Sequence, residues 1–168
     1  MDADSLFALG PPHLHLMPLP VSEAWDFALQ LARMSGAQPV VRIVRGAKSR
    51  TLNDLFDEIS AALQFPYYFG DNWAALDECL ADLDWLRGGA YVLLFTESNR
   101  LLDGERSAEL KILLDVLEKV AREWLKPEGR RIGCGPRPFH IAFQCSQEFA
   151  EAFVARVASL GHALKRLE

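Results

Sequence analysis

Between residues 52 and 63 the apolar positions Leu52, Leu55, Phe56, Ile59 and Leu63 recur every three or four residues, the spacing that gathers side chains on one face of a helix. Thr51 or Asn53 can cap its start. Pro66 closes the segment, and Pro66 and Gly70 bracket the aromatic run Tyr67, Tyr68 and Phe69 in a short connection. A second helix is predicted from Asp71 or Asn72, with Leu76, Cys79, Leu80 and Leu83 as its apolar face and Gly88 and Gly89 after its end. At about 100° per residue, Asp71, Ala74, Glu78 and Asp82 fall in one narrow stripe, with Asp77 about a quarter-turn to one side.

Other stretches carry the period of strands. Residues 40–45, VVRIVR, are β-branched and alternating, and Gly46 breaks the pattern. Residues 90–95, AYVLLF, are apolar throughout, as in a strand covered on both faces. A long helix follows, roughly Ser107 to Leu125, with Leu110, Leu113, Leu114, Leu117, Val120, Ala121 and Trp124 inward and Pro127 as its stop. The basic loop KPEGRRIGCGPRP leads to FHIAF at 139–143, a third strand, and residues 147–165 read as a closing helix. Near the start, 22–35 reads as a helix with Ser22 as N-cap, Trp25, Leu29 and Ala32 or Arg33 at helical spacing, and Gly36 beyond its end. Before it, PPHLHLMPLP alternates but is framed by proline, which suits an edge strand or an extended arm. Strands separated by helices imply parallel pairing, hence a small α/β sheet.

With 168 residues, half of them apolar, the chain is long enough for one globular unit with a sizeable core. The net charge of −5 is unevenly spread. From Thr51 to Trp85 there are eight acids (Asp54, Asp57, Glu58, Asp71, Asp77, Glu78, Asp82 and Asp84) and no Lys or Arg, against fifteen acids and eighteen bases elsewhere. A one-signed stretch of that length has no internal ion pairs, so it is either solvated or faces something positive. Direct binding of nucleic acid there is not expected, because phosphates require Lys and Arg. No apolar run is long enough to cross a bilayer, and the first residues, MDADSLFALG, have Asp where a signal peptide needs a base. The expectation is a cytoplasmic protein without a membrane partner. Cys79, Cys134 and Cys145 are odd in number and widely spaced, so they read as buried thiols rather than as a disulfide framework.

Enzyme chemistry finds little support. His13 and His15, two apart, would share a strand face, but no third ligand lies at zinc-site spacing. Gly133 and Gly135 lack the strand and helix context of a dinucleotide site, and there is no phosphate-binding Walker loop. Asp77, Glu78 and Asp82 could in principle hold a divalent ion, yet acids clustered on an exposed helix usually do not. No cofactor, metal or catalytic residue is expected.

The stretch TLNDLFDEISAALQFPYYFGDNWAALDECLADLDW resembles the signature of the barstar family, intracellular inhibitors of ribonucleases: a helix, then P-x-Y-[YF]-G-x-N, then a second helix with x-A-L-x-[DE]-C-L. Pro66, Tyr68, Phe69, Gly70, Asn72, Ala75, Leu76, Glu78, Cys79 and Leu80 agree in spacing. The resemblance covers about residues 40–145. It implies a small three-stranded parallel sheet packed with helices, spanning 39–145, with an arm and helix at 1–38 and a C-terminal helix at 146–168 as additions. It also implies a second helix that plugs a ribonuclease active site, carboxylates taking the place of RNA phosphates. Glu78 falls at the family's principal contact position. The family's other prominent helix carboxylate falls on Ala74, its frequent Trp falls on Asp77, and Lys119 and Glu123 fall at acidic contacts of the long helix. The resemblance thus points to an inhibitor of immunity or antitoxin type, with Tyr68, Asp71, Asn72, Trp73, Asp77, Glu78, Asp82 and Glu123 as partner-binding residues and a small basic ribonuclease as partner. The alternative is an interaction module of the same fold with another basic protein as its target. Each residue also has a plainer reading. The acidic stripe can be a solvated helix face, Tyr68 and Phe69 turn packing, Trp73 a wedge between helices, and Cys79 part of the core.

Overall fold

A computed structural model describes residues 3–34, 36, 38–126 and 135–167. Its elements are β1 (Leu14–Pro18), α1 (Val21–Ala32), β2 (Pro39–Arg45), α2 (Leu52–Leu63), α3 (Trp73–Asp82), β3 (Ala90–Thr96), α4 (Ser107–Trp124), β4 (Phe139–Cys145), α5 (Gln147–Ser159) and β5 (Lys165–Arg166), with short 3-10 turns at Asp4–Leu6, Gly46–Lys48 and Ser98–Arg100. The strands form one sheet in the order β2-β3-β4-β1-β5, and every pairing is parallel.

Five strands, not three, is the principal correction to the sequence reading. β1 is not an edge strand. It lies between β4 and β5, in register Leu14↔Ile141 through Pro18↔Cys145. Its prolines do not prevent this, because Pro11 and Pro12 precede the strand and Pro18 is its last residue. The segments on either side of 39–145 therefore add strands to the same sheet.

Alternation within the strands divides the interior in two. Leu14 and Leu16 of β1, Tyr91, Leu93 and Phe95 of β3, and Phe139, Ile141 and Phe143 of β4 face the larger cluster, which α2, α3, α4 and α5 complete. Met17, Val92, Leu94 and Ala142 face the smaller cluster, closed by Leu6, Ala24, Phe27, Ala28, Leu31 and Leu167. Cover on both faces explains why β3 and β4 are buried at every position.

α2 spans the predicted residues, and Thr51 caps it by accepting from the Asp54 N–H at 3.3 Å. The seven residues assigned inward on α4 are all buried. α1 departs from the reading: its N-cap is Pro20 rather than Ser22, and its buried positions are Ala24, Phe27, Ala28 and Leu31. Val21, Trp25 and Leu29, spaced four apart, are exposed. The apolar arc of this helix is wider than the core beneath it, and spacing alone does not tell which part is covered. α5 ends at Ser159, and the chain then turns at Gly161 into the two residues of β5. The predicted stop at Pro127, most of the basic loop and Cys134 lie outside the described residues. Cys79 and Cys145 are buried free thiols, and burial pushes both above the usual thiol pKa, Cys145 to about 11. Thiols held protonated are poor nucleophiles.

Candidate functional site

The connection from α2 to α3 gathers most of the predicted site residues. α2 ends on Gln64 in the left-handed region, where its N–H and that of Phe65 satisfy the Ala61 and Ser60 carbonyls. Phe65 and Phe69 then meet edge to face at 4.9 Å, and Phe65 meets Trp85 at 6.0 Å. The Trp85 indole donates to the Leu63 carbonyl at 2.9 Å. This aromatic base turns Tyr67 and Tyr68 outward: Tyr67 is fully exposed and Tyr68 is 64% exposed.

Asp71, at φ 46, makes the turn into α3 and is exposed. It precedes the helix, so it is not on the helical stripe with Ala74, Glu78 and Asp82. Asn72 is the N-cap. Its Oδ1 accepts from the Ala75 N–H at 2.9 Å and its Nδ2 donates to the Gly70 carbonyl at 2.8 Å, so both ends of the amide serve the fold. Asn72→Ala is expected to lower stability by about 1 kcal/mol, measurable in thermal or urea unfolding. Trp73 packs edge to face on Phe56 at 5.2 Å and donates to Glu109 Oε2 at 3.2 Å. It bridges α2, α3 and α4 as a half-buried wedge.

The acids of this region are not uniformly open. The Asp77 carboxylate lies 2.6 Å from the Lys119 ammonium of α4, which also sits 3.9 Å from Glu123. Glu58 of α2 accepts two bonds from the Arg45 guanidinium, at 2.6 and 2.8 Å, and that contact, ahead of its other causes, holds Glu58 below its usual pKa. The block of residues 51–85 thus meets bases from outside itself. Glu78 differs: it is exposed, and among the described residues no ion pair involves it.

Glu78 borders a cleft of about 200 Å³ whose walls are Tyr68, Phe69, Ala75, Cys79, Asp82 and Trp85. Two carboxylates at its mouth and an aromatic rim suit a cationic side chain, whose charge the acids meet and whose stem or guanidinium plane the rings cover. The site therefore consists of Tyr68, Glu78 and Asp82 at the cleft, exposed Asp71 beside the helix start, and an Asp77–Lys119–Glu123 cluster on the adjoining surface. Lys119 is the member that the sequence did not assign to the site as a neutralising group. It lies 42 residues from Asp77, and no local pattern announces the pair. No group of three His, Cys, Asp or Glu side chains among the described residues is placed to hold a metal ion, and no described helix is long and apolar enough to cross a membrane.

A model of the barstar family, the barnase inhibitors, matches residues 40–144. The chain belongs to the barstar family. The matched region runs from β2 to β4 and contains every residue of the cleft, so the barstar segment supplies three strands while β1 and β5 come from outside it. No curated protein sequence matches the chain. Among solved structures the chain is similar in fold to the ORC2 protein of Aeropyrum pernix, solved as ADPNP-ADP complexes (TM-score 0.63, 13% identity, 98% of this chain and 42% of that one). It is also similar to Cdc6p of Pyrobaculum aerophilum (TM-score 0.51, 14% identity, 92% of this chain and 38% of that one). The chain spans less than half the length of either. At that identity the likeness is one of architecture, a five-stranded parallel sheet between helices, and it overturns the three-stranded expectation. The turn from β1 to α1 here is only Leu19 and Pro20, with no glycine-rich phosphate loop.

Proposed function

We propose that this barstar-family chain binds a small basic ribonuclease through the Tyr68–Glu78–Asp82 cleft and blocks its active site, as one half of an immunity or antitoxin pair, without catalysing a reaction itself. The observation that carries the reading is the exposure of Glu78, at the family's principal contact position, beside an outward Tyr68 and clear of the chain's own bases among the described residues. A ribonuclease site presents Arg, Lys and His to a polyanion, and a rigid acidic helix satisfies those groups without offering a cleavable bond. The test is titration of the chain into a panel of small basic ribonucleases, with RNA cleavage and calorimetric binding as readouts. Stoichiometric loss of cleavage, with affinity falling steeply as salt rises, is the expected result.

A second reading has its own support. Ala74 removes one family carboxylate, and Lys119 takes Asp77 into an internal pair. The charge set offered to a partner is therefore not the family's usual one, which favours an interaction module with a different basic protein as target. Cleavage unaltered across the panel would select this reading. Lys119 also provides a graded test. Lys119→Met removes one positive charge from beside Asp77 and Glu123, and the association rate with a cationic partner is expected to rise severalfold at low ionic strength, an advantage that vanishes at high salt. Lys119 is half exposed but the Asp77 and Glu123 side chains are only 16% and 23% exposed, so the loss of the ammonium is expected to lower the melting temperature as well. Stopped-flow mixing at two salt concentrations measures the effect.

A further inference from the structure

On the smaller-core face of the sheet, where β1 meets β4, three histidines converge. His13, His15 and His140 are 5%, 0% and 1% exposed. The His140 ring lies 5.4 Å from that of His13 and 5.1 Å from that of His15, centroid to centroid. The sequence offered His13 and His15 as a pair on one strand face; the parallel register adds His140 from a strand 125 residues away.

The hydrogen bonds have a direction. His140 Nε2 lies 2.9 Å from the Ala8 carbonyl, and a carbonyl only accepts, so this nitrogen carries the proton. His140 Nδ1 is then the acceptor, and His15 Nε2, 2.9 Å away, must donate to it. The neutral relay runs from His15 through His140 to the backbone of the N-terminal segment. His15 Nδ1 and both nitrogens of His13 have no hydrogen-bond partner among the described residues. A proton added to His140 Nδ1 sets donor against donor, and a proton added to His15 is a buried charge that only the Pro12 carbonyl favours.

The surroundings oppose protonation. Burial is the leading influence on all three rings and lowers their pKa values, that of His15 to about 3. Lys165 of β5 adds to this at His15 and His140, and the rings repel one another when charged. From α4, Glu118 favours and Arg122 disfavours a charge on His13, while the carbonyls of Ala8 and Pro12 at His140, Pro12 at His15 and Phe139 at His13 favour one. No carboxylate acts on His15 or His140 among these influences.

We propose that the His13–His15–His140 cluster is an acid-sensitive latch, which fastens β1 and the segment before it to the sheet while neutral and releases them when mildly acidic solution forces protons onto the rings. The sign follows from linkage. Folded rings that resist a proton confer stability above the unfolded histidine pKa of about 6.5, and that stability is lost as pH falls below it toward the folded values. Opening the latch becomes about tenfold more favourable per histidine between pH 7.5 and 5.5, a window above the ordinary carboxylate range.

Hydrogen exchange read by mass spectrometry at pH 7.5 and 5.5, corrected for the intrinsic rates, tests this. Protection over residues 3–17 is expected to fall at least tenfold in the acidic sample while that of α2 holds. The His13→Gln/His15→Gln/His140→Gln variant, which has no ring of the cluster left to protonate, should lose less than twofold. Unchanged protection in the wild type, or an equal loss in the variant, would overturn the latch. Should the variant not fold, NMR titration of the wild-type imidazoles decides. His15 and His140 should stay neutral until residues 3–17 lose protection, and ordinary titration near pH 6.5 with that segment still protected refutes the proposal. Zinc chloride added at pH 7.5 is the remaining arm: no change in protection is expected, and a rise over 3–17 would make the cluster a metal site instead.

Discussion

Glu78→Lys is expected to weaken binding to the cationic partner by about 2–5 kcal/mol, roughly thirtyfold to several thousandfold in Kd, while leaving the fold intact. That range describes charge pairs desolvated at interfaces, and barstar complexes are among its sources. Glu78 is exposed on α3, so the lysine is solvated in the free chain and costs little stability. In the complex it sets two cations face to face at the cleft that Tyr68, Asp82 and Trp85 define. Calorimetry against the partner, paired with thermal unfolding of the free variant, separates the two effects. Equal affinity before and after the substitution would remove Glu78 from the site. The control is Asp77→Lys, which meets Lys119 within the chain and is expected to reduce stability as well as binding.

Phe143→Ala is expected to destabilise the chain by about 3–5 kcal/mol, a large share of the roughly 5–15 kcal/mol that holds an ordinary domain folded. Phe143 is fully buried at the middle of the sheet. Its ring stacks on Phe95 at 5.3 Å and leans on Phe153 of α5 at 5.7 Å. Its backbone is in register with Phe95 of β3 on one side and Leu16 of β1 on the other. The cavity would therefore lie against the barstar strands, the added strand and the closing helix at once. Urea titration checks this: the midpoint should fall steeply with little change in slope. A loss under 1 kcal/mol would mean that the sheet collapses to fill the space.

Elements whose pattern is local and long were legible from the sequence. α4 buries all seven residues that its periodicity selected and α2 four of five, Leu52 at its start being half-buried, and the unbroken apolar run at 90–95 became a central strand. What failed depended on distant partners. β1 reads as an edge because prolines flank it, and only the register with β4 shows that both its neighbours are present. The stripe Trp25 and Leu29 has helical spacing but lies beside the covered face of α1. In the candidate site, the acidic block and the aromatic turn were visible, and the family motif located Glu78. The division of labour among the polar residues was not, because Asn72 as a cap, Trp73 as a wedge and Asp77 as the partner of Lys119 are fixed by contacts across the α2–α3–α4 interface. His140 escaped notice for the same reason.

The location of β1 between β4 and β5 also sets an order of events during synthesis. Once made, β1 has no neighbour of this sheet to pair with until β4 emerges, with His15 and His140 separated by 125 residues. Leu14, Leu16 and Met17 must wait as exposed apolar surface, a state in which nascent chains attract chaperones and one another. Sheet closure is thus expected to be a late, slow step, since so long a loop must be ordered before any contact rewards it. A ribosome stalled before β4 would display β2 and β3 beside a first strand still in search of its place.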